Sequence, residues 1–277
     1  MKKKFTQFTY MTLSVSLLLI ISQCSSVTMP DTGYAVSSSK QVAVASGDLA
    51  TGSLFVKADV RIQDNGDNGA TVDTAGSRYR VEVQDFTKTY SLDILKSASI
   101  SPGGALTHDP ANSRFDLSVL PSIVPATDFS TKGYSVTADA GSYGSISFDG
   151  SMGSRAKFTS PVSSATTITG SVIGTDTFYK ITWTPSLDNR NGKTLELKIT
   201  DTVTPKNTGW FKIEDTGTFY LSKKDLTVTK ALLNLTACKI ELRRTNTITM
   251  YPSPNFITQI GELNLEWITS VTGINLN

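Results

Sequence analysis

The sequence predicts an all-β protein: an antiparallel β-sandwich, divided into two sandwich domains behind an N-terminal tether, with very little helix. Three observations carry that expectation. Apolar residues alternate with polar ones along many short runs, the period of a strand with one buried face. Clusters of Gly, Asn and Pro separate those runs and supply the backbone angles that turns require. Nowhere does an apolar pattern at i, i+3, i+4 and i+7 last for three helical turns.

Composition agrees. Of 277 residues, 39% are hydrophobic and 18% charged, against roughly 25% charged in ordinary soluble domains. Ser, Thr, Gly and Asn fill the difference, as in exported β-proteins. The chain is long enough for one large β-domain or two ordinary ones. A formal net charge of +2 leaves no whole-chain field that would favour nucleic acid or an anionic membrane.

The first clear strand is Ser53 to Gln63, where Leu54, Val56, Ala58, Val60 and Ile62 oppose Lys57, Asp59, Arg61 and Gln63. It runs into Asp64-Asn65-Gly66-Asp67-Asn68-Gly69, and Asn-Gly pairs favour the tight turns of hairpins. Partner strands follow at Arg78 to Asp85 and at Thr89 to Leu95, the latter with Tyr90, Leu92 and Ile94 on one face. Pro102-Gly103-Gly104 opens a long irregular region through Pro121 and Pro125, whose pieces Phe115 to Leu120 and Ser122 to Val124 suit only edge strands. Strands resume at Gly133 to Ala138, Ser145 to Asp149 and Arg155 to Thr159.

A small-residue stretch, Ser160-Pro161-Val162-Ser163-Ser164, marks the expected boundary between domains 49–160 and 165–277. Beyond it, strands are expected at Thr167 to Ile173, Thr177 to Thr184, Thr194 to Asp201, Trp210 to Glu214, Thr218 to Leu221, Cys238 to Arg243 and Asn246 to Met250. A final apolar stretch runs from Asn255 to Val271. Brief helical turns are expected near Lys223-Lys224-Asp225-Leu226 and at Asn255 to Leu265.

The N-terminus sets the address. Lys2, Lys3 and Lys4 precede an apolar run from Tyr10 to Ile21, which stops at Ile21-Ser22-Gln23-Cys24. The run is shorter than the roughly 18–20 residues of a membrane-spanning helix, and the layout is that of a signal peptide over residues 1–23. Ile21-Ser22-Gln23-Cys24 resembles the lipobox of bacterial lipoproteins, in the relaxed form of spirochaetes and some other diderm bacteria, since Gln23 stands where Gly, Ala or Ser is usual. The resemblance implies that Cys24 is acylated and that the chain is anchored in the outer membrane by its N-terminal lipid. An ordinary secretory signal ending in a chance cysteine is the other reading. Residues 24–48, rich in Ser and Thr, then form a tether, with a short strand at Gln41 to Ala45.

In the second half, Phe178 to Pro185 places Trp183 mid-strand, followed by Asp215-Thr216-Gly217-Thr218-Phe219, by Asp225-Leu226 and by Ile240-Glu241-Leu242-Arg243-Arg244. This order resembles immunoglobulin-like β-sandwich modules of bacterial lipoproteins. It implies core roles for Trp183 and Phe219 and carries no shared chemistry.

Candidate chemical sites are few. With Cys24 acylated, Cys238 has no partner for a disulfide, and its apolar neighbours suit a buried small residue rather than a reactive thiol. His108, the single histidine, lies beside Asp109 without the companions a hydrolase needs. One histidine argues against zinc. Asp64, Asp67 and Asn68 offer oxygens for calcium, although the spacing departs from a calcium loop and a plain hairpin turn is the expected reading. No cofactor is expected. Lys223-Lys224 and Arg243-Arg244, with Lys239, suit solvated strand faces, not a nucleic-acid stripe. Asn234-Leu235-Thr236 matches a glycosylation acceptor, a signal without weight in a bacterial lipoprotein.

The functional expectation is a lipid-anchored, non-catalytic envelope protein that binds a protein or glycan ligand or mediates adhesion. A carbohydrate-active enzyme using paired acids such as Asp139 and Asp149, or a structural subunit of a surface assembly, are the alternatives.

Overall fold

The computed structural model describes residues 47–65, 71–73, 76–87, 90–117, 134–150, 156–185, 194–204, 206–229, 233–251 and 259–277. Cys24, the rest of the tether up to residue 46, the turn at 66–69 and the segment 118–133 lie outside the described residues.

A short helix, α1 (Gly47–Thr51), buries Leu49 at the end of the first core. Gly47 has φ +61, and a Cβ there would sit 2.6 Å from the Tyr143 carbonyl oxygen, so the entry requires glycine on both counts. The chain then forms β1 (Leu54–Asn65), β2 (Thr71–Val72), β3 (Arg78–Asp85) and β4 (Ser91–Leu92). After these come β5 (Ser97–Ser101), β6 (Gly104–Ala105), β7 (Thr107–Asp109), β8 (Arg114–Asp116), β9 (Tyr134–Asp139) and β10 (Ser145–Gly150).

The second half supplies β11 (Phe158–Ser160), β12 (Thr167–Ile168), β13 (Ser171–Ile173), β14 (Asp176–Trp183) and β15 (Thr194–Asp201). It continues through β16 (Phe211–Ile213), β17 (Thr218–Ser222), a π-helical turn at Asp225–Thr229, β18 (Cys238–Met250) and β19 (Gly261–Leu276).

One long base sheet runs β16-β15-β18-β19-β1-β3-β8-β7, and two smaller sheets, β10-β9-β5-β6 and β11-β14-β13 with β17, complete the architecture. The protein is therefore all-β and built of stacked sheets rather than a barrel. Most pairings are antiparallel. The exceptions are β1 with β19, in register from Val56↔Gly261 to Gln63↔Ile268, and β12 with β19, both parallel.

Period-two burial explains each long strand. Val56, Ala58, Val60 and Ile62 of β1 join Tyr79, Val81 and Val83 of β3, and Ile100, Tyr134, Val136, Ile146 and Phe148, in a first core. Phe158, Tyr179, Ile181, Trp183, Leu195, Leu197 and Ile199 form a second. The last hairpin feeds both cores. Ile248, Met250, Leu263, Leu265 and Trp267 enter the first, whereas Cys238, Ile240, Leu242, Val271 and Ile274 enter the second. The chain thus passes from one core to the other near Ser160 and returns to the first through β18 and β19.

Several expectations need correction. Thr89 to Leu95 yields only the two-residue β4, and Tyr90 is exposed. The strand lies just beyond, at β5, where Ala98 and Ile100 alternate inward between serines. The helical turn expected to reach Leu265 is overruled by β19, whose Leu263, Leu265 and Trp267 face the core opposite Glu262, Asn264 and Glu266. The expected break between Arg243 and Asn246 is absent: β18 is continuous because Arg244, inward-facing, is neutralised inside the protein. Near Lys223, a helical turn does form.

Candidate functional site

Across the polar face of the base sheet, opposite charges alternate from strand to strand. Arg243 of β18 holds Glu196 of β15 at 2.5 Å and Glu266 of β19 at 3.4 Å, and Glu266 meets Arg61 of β1 at 3.7 Å. The nearly buried Glu241 is clamped by Lys198 at 3.2 Å and Lys239 at 2.8 Å. Trp210 lies under this group, 4.3 Å from the Arg243 guanidinium carbon and 5.4 Å from the Lys198 ammonium, a cation–π arrangement. Further along, Asp116 bridges Arg80 at 2.8 Å and Arg114 at 2.6 Å. The basic residues Lys239 and Arg243, singled out by sequence, are therefore compensated within the sheet itself.

The residues that carried the immunoglobulin-like resemblance converge inside. Trp183 donates its indole N–H to Asp215 Oδ1 at 2.7 Å, and Arg244 pairs with Asp215 Oδ2 at 2.5 Å. Burial pulls the Arg244 pKa down and the Asp215 charge opposes that pull. Phe219, by contrast, is only half-buried, packed against Phe211 at 5.9 Å.

Sequence reasoning did not mark two acids that organise the second half. Asp201, without solvent exposure, receives hydrogen bonds from the Thr204 hydroxyl and from the amides of Val203, Thr204 and Asn234. Those donors, the Thr204 hydroxyl foremost, hold its pKa down at about 2. Asp176, at the start of β14, accepts from the amides of Thr177 at 2.7 Å and Lys224 at 3.1 Å and from the Ser222 hydroxyl. Its pKa is lowered, chiefly by that hydroxyl. An Asp at the end of a Gly-Thr-Asp turn and another closing a strand before Thr-Val-Thr were the available signals, and both read equally as turn residues.

Asp176 pins together two exposed apolar segments. One is the β13–β14 hairpin, where Val172 is 75% and Ile173 61% exposed; the other is the π-helical turn, where Val228 is 67% exposed. Lys223 and Lys224, both exposed, lead into the second of these segments, and Tyr220 pairs with Lys180 across β17 and β14.

The remaining candidates fall as follows. Cys238 is buried, its thiol 3.6 Å from the Asn234 carbonyl, and burial followed by the nearby Asp201 charge pushes its pKa to about 11. Asn234 turns its side-chain oxygen back to the Thr236 amide at 3.2 Å and to the Thr236 hydroxyl at 3.0 Å. His108 lies on the edge strand β7, bonded to Asp93 at 2.8 Å rather than to Asp109, and stacks on Phe115 at 5.0 Å. Asp109 instead caps the turn at Ala111 and Asn112.

Asp139 and Asp149 belong to the β9–β10 hairpin but at its opposite ends, Asp139 across from Ser145 and Asp149 across from Ser135. Four residues along a strand is about 13 Å, beyond the roughly 5–9 Å of paired glycosidase acids. Each has a local partner, the Gly141 amide and the Ser135 hydroxyl respectively. Of the calcium candidates, Asp64 lies on β1 across from Val72, while Asp67 and Asn68 lie outside the described residues. Among the described residues, no group of three or more His, Cys, Asp or Glu side chains is placed to hold a metal ion.

No protein-family model matches the chain, and no curated protein shows significant similarity to it.

Proposed function

We propose that the protein is a lipid-anchored, non-catalytic binding or adhesion module of a diderm bacterial outer membrane. One observation carries the reading: the basic start, the short apolar run and Ile21-Ser22-Gln23-Cys24 precede an all-β body. Signal peptidase II would cut before Cys24 once its thiol carries diacylglycerol. N-acylation would add a further chain, exceeding the two-signal threshold for stable anchoring.

Asp139, Asp149, Asp176, Asp201 and Asp215 each serve a backbone amide, a hydroxyl or a guanidinium, so their charge is committed to structure. With Cys24 acylated, Cys238 stays a free buried thiol, and the two cysteines of the sequence form no disulfide with each other.

Metabolic palmitate labelling tests the anchor. The wild-type chain incorporates label, and Cys24→Ala abolishes incorporation and releases the protein from membranes on carbonate extraction. Undiminished label in the variant would sink the proposal.

A further inference from the structure

We infer that the end of the body at which the tether joins is a membrane-seating rim, whose exposed aromatic side chains rest in the interface of the bilayer that holds Cys24. The inference rests on the proposed anchoring for its setting, and on strand register and exposure for its content.

Register brings these side chains to one level. At the start of β1, Leu54 pairs with Asp85, Val56 with Gly261, and Gly261 in turn with Met250. β4 returns beside β3 with Ser91 across from Gln84. The next residues outward on β3, β18 and β4 are Phe86, Tyr251 and Tyr90, exposed at 58%, 38% and 60%. They stand level with residues 53, 55 and 54 of the chain entering β1, a spread of about 7 Å along the strands. The opposite sheet reaches the same end. Its β9–β10 hairpin closes through the turn Gly141–Tyr143, where Tyr143 is 42% exposed. The Tyr143 carbonyl oxygen lies 2.6 Å from the place of a Cβ on Gly47. Only α1, about 7 Å long, and the residues at 52 and 53 separate Gly47 from β1.

Aromatic exposure is segregated to this end. Among the described residues, the exposed Phe, Tyr and Trp side chains are Phe86, Tyr90, Tyr143, Tyr220 and Tyr251, and all but Tyr220 belong to the rim. The exposed aliphatics, such as Val172, Val203 and Val228, belong to the second half. A tyrosine joins an apolar ring to a hydroxyl that stays wet, and such side chains settle at membrane–water interfaces, with phenylalanine entering the acyl boundary. Charge does not select the lipid. Among the described residues at this end, Lys96 is outnumbered by Asp48, Asp85 and Asp139, so the partner is the interface of a zwitterionic bilayer rather than an anionic surface.

The point of attachment names the occupant. The tether joins at Gly47, in the rim itself, and residues 24–46 reach at most about 80 Å. β19 leads away from this end towards the second core, and its 16 residues extend about 50 Å. Seating by the far end would use more than half of the tether's full reach, whereas seating by the rim uses none of it. An acyl group at Cys24 thus holds the rim at high effective concentration against lipid, where a few aromatic contacts suffice. The body then stands with the first core at the membrane and the second half displayed away from it.

The test uses the chain from Cys24 to Asn277, with Cys24 coupled through a maleimide to phosphatidylethanolamine in phosphatidylcholine vesicles; the buried Cys238 is spared. Tyr90→Trp puts a reporter in the rim, and Tyr220→Trp, at a position 53% exposed in the second half, is the distal control. Emission is read as the difference from the parent chain, whose own tryptophans are Trp183, Trp210 and Trp267. Bromine-bearing phosphatidylcholine quenches the tryptophan at position 90 and leaves that at 220 unchanged. The quenching persists at about 1 M salt, where charge attraction is screened. Phe86→Ser with Tyr251→Ser shifts the seated-to-free ratio of the Tyr90→Trp chain about tenfold towards free, with an unchanged urea midpoint showing that the fold is kept.

A reporter at position 90 quenched no more than one at 220 overturns the inference. So does a response at position 90 that arises between copies of the chain without lipid, or one that vanishes in high salt. Because the lipid is attached chemically, the outcome is independent of palmitate labelling. Palmitate uptake with an unquenched position 90 keeps the anchor and removes the rim; no uptake with a quenched position 90 removes the anchor and keeps the rim.

Discussion

Arg244 of the final hairpin forms a buried ion pair with Asp215 at 2.5 Å, at the point where that hairpin passes from one core to the other. On its N-terminal side, Leu242, Ile240 and Cys238 enter the second core; on its C-terminal side, Ile248 and Met250 enter the first. The charge at this position is answered by Asp215, which Trp183 fixes through the indole N–H. Removing one partner of a buried pair strands the other charge, at about 3–5 kcal/mol. Asp215→Ala is therefore expected to lower the urea midpoint strongly. The double variant Asp215→Leu with Arg244→Met should recover most of that loss, because apolar groups of similar volume need no partner. Equal destabilisation of single and double variants would refute this account.

Acid should loosen the second half through Asp201. Its folded pKa, at about 2, lies below the ordinary 3.8. A depressed carboxyl contributes stability that is fully present above the unfolded value and is lost as pH falls through the folded one. The contribution is expected to disappear between about pH 4 and about pH 2. Urea midpoints of wild type and Asp201→Asn, followed across that range, should converge at the acid end and separate at neutral pH.

Cys238 gives the opposite sign. Its thiol is raised to about 11 from the ordinary 9.0, so the neutral form is favoured by the fold. The contribution is fully present below the unfolded pKa and is lost as pH rises from about 9 to about 11. At pH 8 a maleimide should leave Cys238 of the native Cys24→Ala chain unmodified and modify it readily in urea. Fast native-state labelling would show that the thiol is more open than its burial states.

At the parallel junction of β1 with β19, Gly261 lets two backbones approach. A Cβ at that position would lie 2.6 Å from the Val56 carbonyl oxygen and 2.7 Å from Met250 Cε. The methionine can move aside, but the carbonyl belongs to a central ladder and cannot. Gly261→Ala is expected to destabilise by roughly 1–3 kcal/mol, the usual range for overpacking, measured as a lower urea midpoint without change of slope.

The alternation of β1, β3 and β15 was legible because large aliphatics mark one face and charges the other. β5 was not, since Ser-Ala-Ser-Ile-Ser carries the right period with almost no hydrophobic contrast. The N-terminal half of β19 was misread for a different reason: a long apolar stretch has no intrinsic preference between helix and strand until its partners are known, and the partner here is β1, some two hundred residues earlier. Arg244 concealed the continuity of β18, because an inward arginine looks like a strand end until Asp215 is placed beside it. Sequence spacing likewise put His108 with Asp109, whereas opposite pointing of neighbouring strand residues sends His108 to Asp93. The grouping of Asp176, Lys224 and Val172 was beyond reach altogether, being a product of strand pairing between β14 and β17.

The parallel pairing of β1 with β19 has a mechanical consequence. The two strands run the same way, so tension applied in opposite directions at the N-terminal end of β1 and the C-terminal end of β19 acts along the ladder rather than across it. Eight residue pairs tie β1 to β19 and another eight tie it to β3. Such a load must shear many backbone hydrogen bonds together instead of peeling them singly.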